Sequence, residues 1–194
     1  FGNFNNWSLS GGYRVTDALR AVASVGTSFQ APTFNQLYYP GFGNPALQPQ
    51  RNRATELGLK YHTGSLALGA VAYHNDIQGF IVPTTNVQSS LAVLRGLTLT
   101  ADVQSGDTSY SLSYDYADPR SYSTFAASND LRLVRVARNL LNARISQRLG
   151  DVSVFGELRL SGDREDNNLS FSGRDLLPGY TLLNVGANWK LQKN

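Results

Sequence analysis

The amino-acid sequence predicts an all-β fold, an antiparallel up-and-down meander of about nine strands that forms part of a transmembrane β-barrel. Two observations predict it. Hydrophobic residues recur with a period of two along nearly the whole chain, and short joins alternate with long joins between the alternating segments. The helical period is nearly absent, and no apolar run approaches the roughly 18 residues that a membrane-spanning helix needs.

Each predicted strand places apolar and polar side chains on opposite faces. In the third segment, for example, Leu57 and Leu59 alternate with polar neighbours such as Lys60. A length of about ten residues suits a strand that crosses a bilayer at a tilt. In chain order the predicted strands cover residues 6–15, 19–29, 56–62, 66–75, 97–104, 109–116, 141–146, 152–161 and 182–191.

The joins between these segments predict a membrane barrel rather than a soluble sandwich. Four joins are tight hairpin turns, at 16–18, 63–65, 105–107 and 150–151. The joins between them are long, at 30–51, 78–90, 118–137 and 164–179. Short turns on the periplasmic side and long loops on the extracellular side are typical of outer-membrane barrels, so we expect a bacterial outer-membrane location.

Composition excludes several classes of protein. Only 16% of residues are charged, whereas about 25% is usual, and 11% are aromatic. The net charge of +3 comes from scattered Lys and Arg, which disfavours a nucleic-acid partner. Methionine is absent and no leader precedes the first strand, so we interpret the chain as a fragment or a processed protein.

Aromatic residues near the strand ends predict two belts at the membrane interfaces. One group lies near the short joins: Tyr13, Tyr61, Tyr110 and Trp189. The other lies near the long joins: Phe29, Tyr73, Tyr116 and Tyr180. The alternative is that Tyr and Phe are simply good strand formers.

The sequence offers no catalytic centre, metal site or cofactor site. Cysteine is absent, and His62 and His74 lie at opposite ends of one predicted hairpin, about 30 Å apart. They cannot form a metal pair, and a Ser-His catalytic pair has little support. The acidic run at 163–168 lacks the glycine and the bidentate glutamate of a calcium loop, so we interpret it as a solvated loop.

Several stretches resemble the C-terminal barrel of TonB-dependent outer-membrane transporters, with loop spacing similar to that of cobalamin and siderophore receptors. The segment 24–38, SVGTSFQAPTFNQLY, is close to that family's motif where a strand runs into a loop. Weaker matches follow in order at 44–49, 56–60, 70–77, 95–97, 113–116 and 177–180. A late Arg-Arg-Pro-like motif matches only loosely, at 135–139.

The resemblance implies that residues 1–194 are part of a 22-stranded barrel, with the plug domain and the final strands absent. It also implies a parent protein that imports a scarce nutrient, such as a ferric siderophore, haem or cobalamin. The partners would be the TonB-ExbB-ExbD system acting through the missing plug, the small metal chelate or corrinoid, and outer-membrane lipid. The competing hypotheses are a passive porin or adhesin barrel, and an outer-membrane lipase or protease that would need a Ser-His pair on neighbouring strands.

Two groups of candidate site residues follow. Charged residues within strands must face the lumen of a membrane barrel, where they contact the plug or line an ordinary hydrated wall. They are Arg53, Glu56, Lys60, Asp102, Arg144, Glu157 and Arg159. Aromatic residues in long loops are candidates for ligand binding, with loop packing or lipopolysaccharide contact as the commoner alternative. They are Tyr38, Tyr39, Phe42, Tyr122 and Phe125.

Overall fold

The computed structural model describes residues 3–82, 86–123, 129–168 and 173–191. In chain order its elements are β1 (Ser8–Arg14), β2 (Leu19–Gln30), α1 (Phe34–Tyr38), β3 (Gln50–Thr63), β4 (Leu66–Gln78), β5 (Ile81–Val82), β6 (Val87–Gln88), β7 (Leu91–Ser105), β8 (Thr108–Tyr122), β9 (Leu131–Arg132), β10 (Asn139–Leu149), β11 (Val152–Ser161), β12 (Arg164–Asn167), β13 (Arg174–Leu177) and β14 (Tyr180–Trp189). Within these ranges no helix has the length and apolar character to cross a membrane.

Nine strands form one antiparallel wall in the order β1-β2-β3-β4-β7-β8-β10-β11-β14. β9 pairs with the end of β8, while β5-β6 and β12-β13 are separate two-stranded hairpins within long loops. Every wall strand therefore pairs with the wall strands that precede and follow it along the chain. The predicted all-β meander of about nine strands is confirmed.

Tight turns join the wall strands on one side, and the long segments join them on the other. The turns at 64–65, 106–107 and 150–151 each begin with a glycine whose φ lies between 46° and 62°. A positive φ at the first turn residue is what a type II′ hairpin requires, and glycine adopts it without strain. We call the two sides of the wall the turn side and the loop side.

The register divides the wall into two faces of different chemistry. Lys60 pairs with Arg20 and Gly69, whereas its neighbour Leu59 pairs with Ala21 and Ala70. Because paired residues point the same way, each face continues from strand to strand. The polar face carries Lys60 and the side chains in register with it. The apolar face carries Leu57, Leu59, Leu97, Leu99, Leu183 and Val185.

The wall has almost no core of its own. Among the described residues only four hydrophobic side chains are buried, and Ala92 is the one that lies in the wall. On the apolar face Leu59 is 51% exposed and Val185 is 79% exposed. A continuous exposed apolar surface of this kind marks contact with a membrane or another protein, and it matches the predicted lipid-facing side of a barrel wall.

The wall strands extend further on the loop side than the alternation predicts. β3 begins at Gln50 instead of residue 56, and β8 continues to Tyr122 instead of residue 116. The prediction of Tyr122 as a loop residue is therefore wrong, since Tyr122 ends β8 and pairs with Leu91 on β7. Outside a bilayer both faces of a strand can be polar, so the extensions carry no alternating pattern.

Of the two predicted aromatic belts, only the turn-side belt lies wholly on the apolar face. Tyr13, Tyr61, Tyr110 and Trp189 all lie on the apolar face at the turn side. Of the loop-side group, Phe29 and Tyr116 lie on the apolar face. Tyr73 pairs with Glu56 and Tyr180 pairs with Ser161, so both lie on the polar face and cannot belong to a lipid-facing belt.

A glycine on β7 allows Tyr73 to lie across the polar face. Gly96 pairs with Tyr73, and a Cβ atom built at Gly96 would overlap both the Tyr73 hydroxyl and the Tyr116 carbonyl oxygen. We expect Gly96→Ala to lower the free energy of unfolding by about 1–3 kcal/mol, the usual cost of overpacking, as measured by urea unfolding in lipid vesicles. Gly11→Ala is the matched control, because nothing lies within 4 Å of a Cβ built at Gly11. Equal stability of the two variants would contradict the packing argument.

Candidate functional site

Six of the seven predicted lumen-facing charges share the polar face. Lys60 lies in register with Gly69 and Thr100, two residues from Asp102 on the same side. The six are Glu56, Lys60, Asp102, Arg144, Glu157 and Arg159. Their contact with a plug remains a prediction.

Arg53 is the exception, and its predicted lumen-facing orientation is wrong. The pairing of β3 with β2 and β4 runs without a bulge, so Arg53 lies on the same face as Leu57 and Leu59. Its position near the loop-side end of β3 takes it beyond the apolar part of that face. A cation is tolerated there because its cost on a lipid-facing surface falls to about 0–1 kcal/mol near the interface.

Side chains on the polar face bind one another across the strands. The Ser24 hydroxyl donates a hydrogen bond to Glu56 Oε2 at 3.3 Å, and the Thr98 hydroxyl donates one to Asp115 Oδ1 at 2.7 Å. Arg144 forms a salt bridge with its cross-strand partner Glu157. These polar contacts are those of a hydrated surface, and they hold charge at fixed positions along the wall.

The first long loop begins with a capped helix. In α1 the Thr33 hydroxyl accepts a hydrogen bond from the Gln36 backbone N–H at 3.2 Å, and the Thr33 backbone N–H donates to the Gln36 side-chain oxygen at 2.8 Å. This reciprocal capping box fixes where the chain enters the helix. Beyond α1 the Asn44 backbone N–H donates to the Gln36 carbonyl oxygen at 2.7 Å, which folds the loop back onto the helix.

The first and second long loops share a small buried core. Leu37 and Leu47 of the first loop pack with Ile81 of the second, and all three are at least nine-tenths buried. This is the only cluster of buried hydrophobic residues in the described part of the chain. The hydrophobic core thus lies among the loops and not against the wall.

Asn86 of the second loop holds the backbone of the first. Its side-chain nitrogen donates to the Gln36 carbonyl oxygen at 2.6 Å and to the Phe42 carbonyl oxygen at 2.9 Å. The residue is 3% exposed and adopts a φ of 53°, a left-handed conformation that asparagine tolerates better than most residues. The Asn44 side-chain nitrogen donates a longer hydrogen bond to the Asn86 carbonyl oxygen, at 3.4 Å.

Gln88 makes a second connection of the same kind. Its side-chain oxygen accepts from the Gln48 backbone N–H at 3.1 Å, while its side-chain nitrogen donates to the Gln48 carbonyl oxygen at 2.8 Å. The amide of Gln88 therefore pairs with both backbone polar groups of one residue, Gln48, as a residue of a neighbouring strand would. Together with Asn86 it makes the two loops one structural unit, which we call the loop platform (residues 31–49, 79–82 and 86–90).

Three of the predicted ligand-binding aromatics lie together on this platform. Tyr38, Tyr39 and Phe42 are all exposed. Sequence reasoning missed a fourth, Phe34, whose ring lies 5.1 Å from that of Tyr38. The spacing of four residues on a helix could have indicated the pair. Phe125 lies outside the described residues.

The third and fourth long loops are joined by ion pairs. Glu165 forms salt bridges with Arg174 at 2.8 Å and with Arg132 at 3.6 Å, and Asp166 forms one with Arg135 at 3.0 Å. The run predicted as a solvated loop at 163–168 does lie in a long loop, but its residues 164–167 form β12, and Glu165 and Asp166 are paired with arginines. Two of the arginine partners, Arg132 and Arg135, lie about thirty residues before this run, so no local pattern could indicate them.

The described residues contain no group of three or more His, Cys, Asp or Glu side chains that could hold a metal ion. His62 lies on the polar face at the turn side, and His74 lies on the apolar face at the loop side. His74 instead contacts Asp76, with His74 Nε2 3.1 Å from Asp76 Oδ1.

The family model for "TonB dependent receptor-like, beta-barrel" matches residues 1–194. The chain belongs to this family. Family membership accounts for the meander, for the two faces of the wall and for the long loops on one side, and it places the barrel in the outer membrane of Gram-negative bacteria. The family consists of receptors and transporters.

Individual relatives agree with the family assignment. The vitamin B12 transporter BtuB of Vibrio vulnificus (strain YJ016) is 31% identical over 204 residues, which cover 98% of this chain and 31% of the relative. The ferric enterobactin receptor PfeA of Pseudomonas aeruginosa, solved as a mutant, has a TM-score of 0.79 at 19% identity, over 97% of this chain and 33% of the receptor. The FrpB iron transporter of Neisseria meningitidis has a TM-score of 0.74 at 16% identity, over 95% of this chain and 32% of the transporter. The chain spans about a third of the length of these relatives.

Proposed function

We propose that this chain forms part of the wall and loops of an outer-membrane receptor that imports a scarce nutrient. The cargo is a ferric siderophore, haem or cobalamin. The family match over the whole chain carries this proposal. The relatives support cobalamin and ferric siderophores as substrate classes, since they are named as a vitamin B12 transporter, a ferric enterobactin receptor and an iron transporter.

The wall contributes a channel lining and does not drive transport itself. We place the polar face toward the lumen of a 22-stranded barrel, whose remaining strands and plug domain lie outside this chain. Lys60, Arg144 and Glu157 then contact the plug or the water around it. The TonB-ExbB-ExbD system acts on the plug, and this chain has no enzymatic activity in the scheme.

The loop platform contributes to nutrient capture. Its exposed aromatics, Tyr38, Tyr39 and Phe42, offer flat apolar surfaces to a ring-bearing ligand such as a catecholate chelate, haem or a corrin. The buried cluster and Asn86 hold the platform in one shape before the ligand arrives. Preorganisation of this kind reduces the entropy lost on binding.

Direct binding tests the role of the platform. The full-length receptor in detergent is titrated separately with cyanocobalamin, ferric enterobactin and haem, by intrinsic fluorescence. We expect one of the three to bind, and the double variant Tyr39→Ala and Phe42→Ala to weaken that binding about tenfold, since two lost aromatic contacts cost roughly 1–3 kcal/mol.

Tyr13→Ala is the matched control, because Tyr13 is an exposed tyrosine on the turn side of the wall. We expect it to bind the same probe with unchanged affinity. Unchanged affinity of the double variant would remove these two aromatics from the binding site. Failure of all three probes to bind the wild-type receptor would contradict the proposed substrate classes.

A further inference from the structure

Charged side chains on the apolar face of the wall are confined to one margin. Among the described wall strands, every Arg, His and Asp on this face lies at the loop-side ends of β3, β4, β7 and β8. We call this set the basic border; it consists of Arg51, Arg53, His74, Asp76, Arg95, Asp118 and Arg120. The turn-side margin of the same face carries none in the described strands.

A buried carboxylate organises one half of the border. Asp118, whose side chain is 8% exposed, accepts from Arg95 at 2.8 Å and from Arg120 at 3.2 Å, with Arg138 at 3.7 Å. It lies beyond the apolar band, where the Arg95 guanidinium binds it through two hydrogen bonds to Oδ2. Arg120 also forms a salt bridge with Asp130 at 3.2 Å, so three guanidinium groups face two carboxylates and the cluster keeps one excess positive charge. Arg95 remains 55% exposed.

The other half of the border contains two arginines and one aspartate, Asp76, which lies in register with Arg53, so it carries a net positive charge. Arg51 and Arg53 are exposed and form no salt bridge with any described residue. Arg51 instead lies over the ring of Phe4, 5.3 Å from its centroid, and Phe4 stacks on Phe29. Arg53 and Arg95 are separated by β4 and are offset by two residues along the strands, so their backbones are about 12 Å apart.

Next to the basic border, on its turn side, the apolar face contains a depression. Alanines of β2 and β4 lie on either side of Leu57 and Leu59 of β3, and this alternation leaves an open apolar depression of about 700 Å³. Small side chains beside large ones leave grooves along the face. Ala23 and Ala72, on either side of Leu57, line two of these grooves. Exposed cations and an apolar depression thus adjoin on one continuous face.

We propose that the basic border binds the phosphate groups of an outer-leaflet lipid whose acyl chains lie in the apolar depression. An arginine deep in the hydrocarbon would cost about 2–4 kcal/mol, so the border must lie at the level of the headgroups. Guanidinium groups there match phosphate in charge and in hydrogen-bond geometry. This inference rests on the membrane placement of the wall and does not depend on which nutrient is imported.

The test compares phosphorylated and dephosphorylated lipid. The full-length receptor in detergent is titrated with diphosphorylated lipid A and with the same glycolipid after removal of its phosphates, and bound lipid is counted by native mass spectrometry. We expect the phosphorylated lipid to bind about tenfold more tightly, and the triple variant Arg51→Gln, Arg53→Gln and Arg95→Gln to lose that preference. The double variant Arg51→Gln and Arg53→Gln leaves Asp118 paired and should lose most of it.

The matched control removes three arginines from the turn-side end of the polar face, with Arg14→Gln, Arg20→Gln and Arg148→Gln. It should retain the preference for the phosphorylated lipid. Equal binding of the two lipids by the wild type would overturn the proposal, as would an equal loss in the control. Competition by inorganic phosphate as effective as competition by the lipid would also overturn it, because the site would then recognise free phosphate.

Discussion

Cells that lack TonB should lose uptake of the nutrient that the full-length receptor captures. We expect the rate of radiolabelled uptake to fall at least tenfold, to the background of cells without the receptor. The physical reason lies in the proposed plugged barrel: the plug fills the lumen, so opening the lumen requires work on the plug. Collapse of the proton gradient in cells that contain TonB should have the same effect, because in the proposed scheme that gradient supplies the work.

Capture at the surface serves as the control within the same experiment. Binding of the labelled nutrient to intact cells at 4 °C should be equal with and without TonB, because the loop platform is already folded in the absence of energy. Uptake that continues unchanged without TonB would favour the passive porin hypothesis instead. Loss of surface binding together with uptake would show that TonB affects assembly of the receptor, and it would contradict the division of labour proposed between the loops and the plug.

Replacing Ile145 by arginine should destabilise the barrel by about 2–4 kcal/mol, the cost of a cation near the middle of the lipid-facing surface. Ile145 is 46% exposed and lies centrally on the apolar face of β10, between Leu141 and Leu149. The free energy of unfolding is measured by urea titration of the full-length receptor in lipid vesicles. An arginine introduced at the next residue, Ser146, should destabilise the barrel much less.

Ser146→Arg is that control, since Ser146 pairs with Ser109 and lies on the polar face. We expect a change of less than about 1 kcal/mol, because the native chain already carries Arg144 and Arg148 on this face. A larger loss of stability for Ser146→Arg than for Ile145→Arg would reverse the assignment of the two faces.

The sequence predicts the wall well because membrane crossing imposes a strict local pattern. Every strand between the interfaces must separate apolar from polar side chains, so segments such as 56–62 show their faces directly. The pattern stops where water surrounds both faces. For that reason the alternation does not reveal that β3 starts at Gln50, and the assumption that every strand charge faces the lumen fails at Arg53.

The loops are harder to predict because their contacts join residues far apart in sequence. Asn86 contacts the carbonyl oxygen of a residue 50 positions earlier, and Gln88 pairs with the backbone N–H and C=O of a residue 40 positions earlier. Neither contact leaves a periodic signal. The aromatics of the platform can be chosen as binding candidates from the sequence, because residue type and position in a long loop are the only criteria. Tyr122 cannot be assigned to β8 in the same way, because a strand extension and a loop have the same polar character.

The connection between the first two loops constrains how binding specificity can be exchanged between relatives. A first loop transplanted alone would lose the side chains of Asn86 and Gln88 that hold its backbone, and it would leave Ile81 exposed. A chimaera would inherit a defined recognition surface only when both segments, 31–49 and 79–90, come from the same donor. Diversification of the aromatic surface must therefore proceed through paired changes in two loops that are separated along the chain by the whole β3-β4 hairpin.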